Sequence, residues 1–184
     1  MPVGTSEKSP EQALANAQRV MAETGCGAVK MEGGAGLSLT IRHLTQNGVP
    51  VMGHVGLLPQ SAAQTGGYKI QGRDEAGAAR VIADAKAVAE AGAFAIVVEG
   101  TVEPVARELT QAVAVPTIGI GASAACNGQI LVVTDLLGLT PKPPRFAKAY
   151  AHLTPTITEA VRAYAEDVRG RKFPGPEHVF INKS

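Results

Sequence analysis

Short apolar runs alternate with longer stretches of helical period along the whole chain. The first helix opens at Ser9-Pro10-Glu11-Gln12, where Ser9 can cap, Pro10 suits the first helical position and Gln12 completes a capping box. It runs to about Glu23 and stops at Gly25. An apolar run, Ala28 to Glu32, follows and closes on Gly33-Gly34; a helical stretch from Leu37 to Gln46 then ends at Asn47-Gly48. After the run Pro50 to His54 comes a polar, glycine-rich loop, Leu57 to Arg73, and a helix over 74–91. In that helix Val81, Ile82, Ala85, Val88 and Ala89 share one face. The remainder predicts strands at 93–99, 116–120 and 129–133, a helix at 102–113, and a helical C-terminal third with a second capping box at Thr156-Ile157-Thr158-Glu159. A Pro/Gly tail, Phe173 to Ser184, ends the chain.

Strands that alternate with helices make βαβ units and a parallel sheet, and near-continuous apolar strands fit a sheet covered on both faces. Five strands are predicted, at 28–32, 50–54, 93–99, 116–120 and 129–133. An (β/α)8 barrel needs eight strands and typically about 250 residues, so length alone favours an open sheet. The 184 residues fit one domain, without internal repeats or a low-complexity linker.

Composition narrows the function. Hydrophobic residues make up 45% and charged ones 18%, enough to fill a core. Lys and Arg total 17 against 16 acidic residues, so no global field attracts nucleic acid or an anionic membrane. Trp is absent and aromatics reach only 4%, which disfavours base stacking. Cys26 and Cys126 are too few for a disulfide framework and lack metal-ligand spacing, so a reducing compartment is expected. The polar N-terminus has no apolar h-region, and no run approaches the roughly 20 residues of a membrane span. A soluble, cytoplasmic protein is the expectation.

The ionisable residues that interrupt the strands do so at one end. Lys30 and Glu32 end the first, His54 the second and Glu99 the third, each closely followed by glycine. In parallel α/β folds the site forms at the C-terminal ends of the strands. Each residue also fits a plainer role. Lys30 and Glu32 share a face and fit a surface pair, His54 fits a hydrogen-bonded core histidine, and Glu99 fits a strand-end carboxylate with a structural partner. His43 reads as a solvated helix residue; His152 and His178 lack metal spacing; Arg145 and Lys148 read as surface charges. The glycines of Ile118-Gly119-Ile120-Gly121 do not form a phosphate-binding pattern, and Cys126 has no adjacent base to make it a nucleophile.

Beyond these generic features, long motifs stand in order along the chain. They are Val29-Lys30-Met31-Glu32-Gly33-Gly34, Val51-Met52-Gly53-His54-Val55-Gly56-Leu57 with Pro59-Gln60-Ser61, and Gly66-Gly67-Tyr68-Lys69-Ile70-Gln71-Gly72-Arg73. Gly92 to Glu99, Ile118 to Ala122, Gly128 to Val132 and Phe173 to Phe180 continue the series. Together they resemble the ketopantoate hydroxymethyltransferase family. The resemblance implies a TIM-type (β/α)8 barrel of the phosphoenolpyruvate/pyruvate type, overruling the length argument. The five strands would be strands four to eight, so that strands one to three are lacking and 1–184 is the C-terminal two-thirds of a barrel with a tail at 173–184.

The resemblance also implies an activity: hydroxymethyl transfer from 5,10-methylenetetrahydrofolate to 3-methyl-2-oxobutanoate, giving 2-dehydropantoate in pantothenate biosynthesis through a Mg²⁺-stabilised enolate. Glu99 would be the catalytic base, Lys30 and His54 would bind substrate, and Glu32 would belong to the metal site. The family's two metal-binding aspartates lie ahead of the region matching Met1, and a single carboxylate is a poor anchor for octahedral Mg²⁺. Asn127 and Ser123 stand where many members have aspartate and glycine. The family's partners are small molecules, not nucleic acid or membrane, and its members form homo-oligomers, often decamers; exposed edge strands would add to that tendency here. Two alternatives are a non-catalytic truncated barrel serving assembly or interaction, and a related metal-dependent 2-oxo-acid lyase.

Overall fold

The computed structural model describes residues 1–62 and 66–181; residues 63–65 of the predicted loop and 182–184 of the tail lie outside it. Helix α1 (Pro10–Thr24) begins where Ser9 accepts a hydrogen bond from the Gln12 amide and ends at Gly25, whose left-handed backbone lets its N–H reach the Met21 carbonyl. The capping box is only half made, because Gln12 Oε1 is buried without a hydrogen-bond partner. Strand β1 (Val29–Glu32), helix α2 (Ser38–Gln46), strand β2 (Val51–Gly56), helix α3 (Glu75–Glu90), strand β3 (Ala95–Glu99), helix α4 (Glu103–Ala112) and strand β4 (Thr117–Ile120) follow in strict alternation. Asp74 caps α3 by accepting from Gly77 N.

The sheet has five parallel strands in the order β1-β2-β3-β4-β5, with β5 spanning Gly128–Gln129. Strands in chain order, with no switch point, wind in one direction, as in a barrel and unlike a doubly wound sheet. The packing agrees. The main core contains Val29, Met31, Val51, Val55, Ile96 and Val98 from alternate strand positions, together with Ala13, Ile41, Leu44, Val81, Val88, Val105 and Leu109 from α1 to α4. The intervening residues Met52, Ala95, Val97 and Ile120 are absent from that cluster. Side chains alternate across a strand, so these helices all lie on one face. The fold is the α/β, barrel-type arrangement expected, and the barrel is not closed. The strands read as continuous apolar runs because the residues on the face away from these helices, Met52, Ala95, Val97 and Ile120, are apolar too.

The fifth strand corrects the predicted 129–133. Ile130 N still donates to the Gly119 carbonyl, but the Val132 carbonyl accepts from Asp135 N and Leu136 N. Those bonds open the short helix α5 (Val133–Leu136), so the end of the apolar run is a turn and helix rather than strand. Helix α6 (Leu153–Arg169) also starts before its predicted box, at His152, with Thr156 to Glu159 inside it. Pro155 is tolerated there because the first-turn N–H it lacks has no intrahelical acceptor. The chain divides into two compact units, Met1–Ile130 and Leu131–Ser184. Among the described residues, no helix is long and apolar enough to cross a membrane.

Candidate active site

Strand register brings the rim together within the first unit. Glu32 pairs with His54 across β1 and β2, His54 with Val97, and Gly56 with Glu99. Paired positions in neighbouring strands share a face, so Lys30, Glu32, His54 and Glu99 all point away from the helix-packed core. The other three side chains surround the His54 ring. Lys30 Nζ lies 3.3 Å from His54 Nδ1, Glu32 Oε1 lies 3.7 Å from the same nitrogen, and Glu99 Oε2 lies 3.1 Å from Nε2. With Lys30 as an ammonium, which has only hydrogens to offer, Nδ1 accepts and the ring hydrogen falls on Nε2, toward Glu99.

His54 is only 1% exposed, whereas the side chains of Glu32 and Glu99 are 11% and 16% exposed. The Glu99 carboxylate is close to Nε2 but off the line a hydrogen bond requires, so Nε2 is buried without a hydrogen-bond partner. An unmade bond at a buried ring nitrogen costs about 1–3 kcal/mol, a cost that a bound polar ligand could remove. The plain reading of His54 as a satisfied core histidine therefore does not hold. Lys30 is exposed, yet it is more than a surface pair with Glu32, because its ammonium faces the histidine.

Two glycines set the position of β2. Gly53 faces α3, and a Cβ there would run into Val88 Cγ1. Gly56 has φ +90°, and a Cβ there would meet the Glu99 carbonyl oxygen and Thr101 Oγ1. The chain can thus turn off the sheet directly above Glu99, and Leu57 N then donates to the Glu99 carbonyl.

Some supporting residues carried no assigned role in the sequence. Gln60 N donates to Glu32 Oε2 at 3.0 Å and fixes that carboxylate; the Pro59-Gln60-Ser61 motif was its only sign. Asn127 Oδ1 accepts from both Thr117 N and Thr117 Oγ1, standing in for a missing ladder partner. Ser123 donates to Glu103 Oε1 and ties the segment after β4 to the start of α4. Its hydroxyl, and then the Arg107 guanidinium, hold the Glu103 carboxyl below its usual range. Cys126 is buried against Thr110, away from these rim side chains, and Cys26 is free. His43 is half-buried rather than fully solvated. In the second unit His178 packs on Phe173, while Arg145 and Lys148 are exposed as expected, Lys148 lying over the Tyr150 ring.

A cavity of about 440 Å³ opens beside Glu32, lined also by Glu7, Leu58 and Gln60. The residues here do not by themselves fit a magnesium ion. Glu32 is one carboxylate with one oxygen already taken by Gln60, and among the described residues no three His, Cys, Asp or Glu side chains are grouped as ligands.

A singly wound parallel α/β sheet with a carboxylate–histidine–carboxylate constellation at its C-terminal rim belongs to the barrel class, whose sites form there. Within that class, a family model for ketopantoate hydroxymethyltransferase matches residues 1–176, and the chain belongs to that family. It is 58% identical over 181 residues to the 3-methyl-2-oxobutanoate hydroxymethyltransferase of Paramagnetospirillum magneticum, and 55% identical to that of Brucella canis. In each case the match covers 98% of this chain and 66% of the relative's length. A crystal structure described as a lyase/mutase from Burkholderia cenocepacia superposes with a TM-score of 0.46 at 16% identity, over 94% of this chain and 59% of that one, too loosely to bear on function.

Proposed function

We propose that this chain forms the proton-abstracting rim of a 3-methyl-2-oxobutanoate hydroxymethyltransferase, acting in pantothenate biosynthesis with 5,10-methylenetetrahydrofolate as one-carbon donor. The observation that carries this reading is the buried His54 ring held between Lys30, Glu32 and Glu99, with Nε2 lacking a hydrogen-bond partner. Glu99 takes the C3 proton, and the C–H electron pair becomes the C2–C3 double bond of an enolate whose charge falls on the keto oxygen. Lys30 balances that charge and His54 hydrogen-bonds the substrate. The enolate carbon then bonds to the donor's methylene carbon, both methylene–nitrogen bonds break, water supplies the new hydroxyl, and the C3 proton and the remaining water proton end on the two nitrogens. The products are 2-dehydropantoate and tetrahydrofolate.

Magnesium is the metal the family resemblance implies, with Glu32 as one donor, direct or through water. The remaining donors are not among the described residues, and no step above depends on the ion. A homo-oligomer in the cytoplasm completes the proposal, since β1 and β5 leave backbone edges that favour association.

Exchange of the C3 proton of 3-methyl-2-oxobutanoate in heavy water, followed by NMR, isolates enolate formation from the folate step. In the protein as its gene encodes it, Glu99→Gln should lower that exchange by about 10²–10⁴-fold while leaving the fold intact. Unchanged exchange would remove Glu99 from the role of base.

A further inference from the structure

The Gly66 to Arg73 motif has no part in the chemistry above, yet hydrogen bonds fasten it to the active rim. Gln71 N donates to the Gly100 carbonyl at 2.8 Å, and Val102 N donates back to the Gln71 carbonyl at 3.0 Å. The segment is thereby held against the residues immediately after Glu99. Between it and α3 lies a second cavity, of about 390 Å³, whose wall includes Gly56, Gln71, Lys69 and Arg80. Gly56 is the register partner of Glu99, so the cavity begins one strand spacing, about 4.8 Å, from the backbone of the proposed base.

Charge separates this cavity from the one beside Glu32. That one is lined by Glu7 and Glu32 with no cationic side chain. This one has Lys69 and Arg80 against a single carboxylate, Asp84, and one Asp84 oxygen already accepts from Ala35 N at 2.8 Å. Among the described residues, neither Lys69 nor Arg80 forms a salt bridge, so both cations are left to face the cavity's contents. A volume of this size toward α3, apart from the Glu99 side chain, with two unpaired cations, suits the anionic end of a second substrate. The 2-oxo acid must sit against Glu99 itself. The one-carbon donor is longer, and carries its carboxylates on a glutamate tail remote from the reacting methylene.

We propose that this cavity seats the glutamate carboxylates of the folate donor, with Lys69 and Arg80 as the residues that bind them. The assignment rests on the folate-dependent reading above. It makes the Gly66–Arg73 motif a donor-binding element, separate from proton abstraction.

Calorimetric binding of p-aminobenzoyl-triglutamate and of p-aminobenzoate to the protein as its gene encodes it tests the site without turnover. The triglutamyl probe should bind more tightly, and added salt should erode its advantage. An exposed ion pair is worth up to about fivefold in affinity, so Lys69→Ala with Arg80→Ala should cut that advantage by about three- to twentyfold. Lys69→Arg should keep most of it, and Lys86→Ala, exposed on α3 outside the cavity lining, should leave it unchanged. Equal binding of the two probes, or full tail binding by the double variant, would overturn the proposal; so would displacement of the probe by 3-methyl-2-oxobutanoate. The C3-proton exchange needs no folate and separates the two readings. Exchange kept with tail binding absent defeats this site alone, whereas exchange insensitive to Glu99→Gln defeats the assignment of the base and leaves the tail site standing.

Discussion

Replacing Gly53 by alanine tests how β2 delivers His54 to the rim. Gly53 faces α3 between the buried Val51 and Val55, and an added Cβ would run into Val88 Cγ1, with Ile96 Cγ1 at 3.6 Å. The backbone there is ordinary strand, so the penalty is overpacking, about 1–3 kcal/mol. It is offset by about 0.4–1 kcal/mol from a less flexible unfolded chain. Val88→Ala alone removes two buried carbons, worth about 2 kcal/mol with its cavity. Were the sites independent, the double variant would cost roughly the sum, about 3–4 kcal/mol. Because the methyl group added at position 53 fills the space that Val88 Cγ1 vacates, the double variant should instead cost no more than Val88→Ala, a coupling of about 1 kcal/mol at the middle of these ranges. Hydrogen exchange of the β2 amides measures the stability of the unit that holds them. C3-proton exchange should fall in Gly53→Ala and recover in the double variant, because His54 is the next residue. Additivity within about 0.3–0.5 kcal/mol would refute the close approach as the reason for glycine.

Asn127→Ala should destabilise by about 1–3 kcal/mol in urea titrations, because it strands the Thr117 amide, while Asn127→Asp keeps the acceptor and should cost far less. Glu103, held below its usual pKa of 4.5 by Ser123 and Arg107, contributes stability that is complete above about pH 4.5 and lost as pH falls through the lowered folded value. A urea titration should show that stability falling across this acid range, and Ser123→Ala should shrink the acid step to the part that Arg107 supplies. Mg²⁺ should raise the Tm of the 184-residue chain no more than Na⁺ at equal ionic strength; a saturable, Mg²⁺-specific rise would mean a fuller donor set than Glu32 provides.

Elements with local signals were legible within a residue or two. Ser9-Pro10 and Asp74 mark helix starts by their capping chemistry, and Gly25 marks an end by its left-handed backbone. The fifth strand was not, because Ile130 to Val133 is as apolar and β-branched as a strand, and only the turn that forms on the Val132 carbonyl diverts it. The second capping box failed for a similar reason. Thr156-Ile157-Thr158-Glu159 satisfies the pattern, but Leu153 N donates to the Leu137 carbonyl and Thr154 Oγ1 to the Gly138 carbonyl, so the cap falls four residues earlier, at His152. Tertiary partners decided both cases, and a local pattern cannot encode them.

The rim was legible for a different reason. A charged side chain in an apolar strand needs a partner or water, so Lys30, Glu32 and Glu99 could stand only at strand ends or on a face away from the core. Parallel strands all end on the same side, so three such strands define one rim without any knowledge of register. What register adds is parity. Glu32, His54 and Glu99 share one face only because Glu32 pairs with His54 and Gly56 with Glu99; a one-residue slip of β2 against β1 would send His54 toward Met31 and the helices. The same parity explains why Gln60 and Gln71 escaped notice. Both sit in the loop after β2 and act through backbone N–H groups, Gln60 on Glu32 and Gln71 on Gly100, a function any residue but proline could supply. Side-chain chemistry is written into the sequence, whereas support given by a main-chain donor becomes visible only once the fold shows what that donor faces.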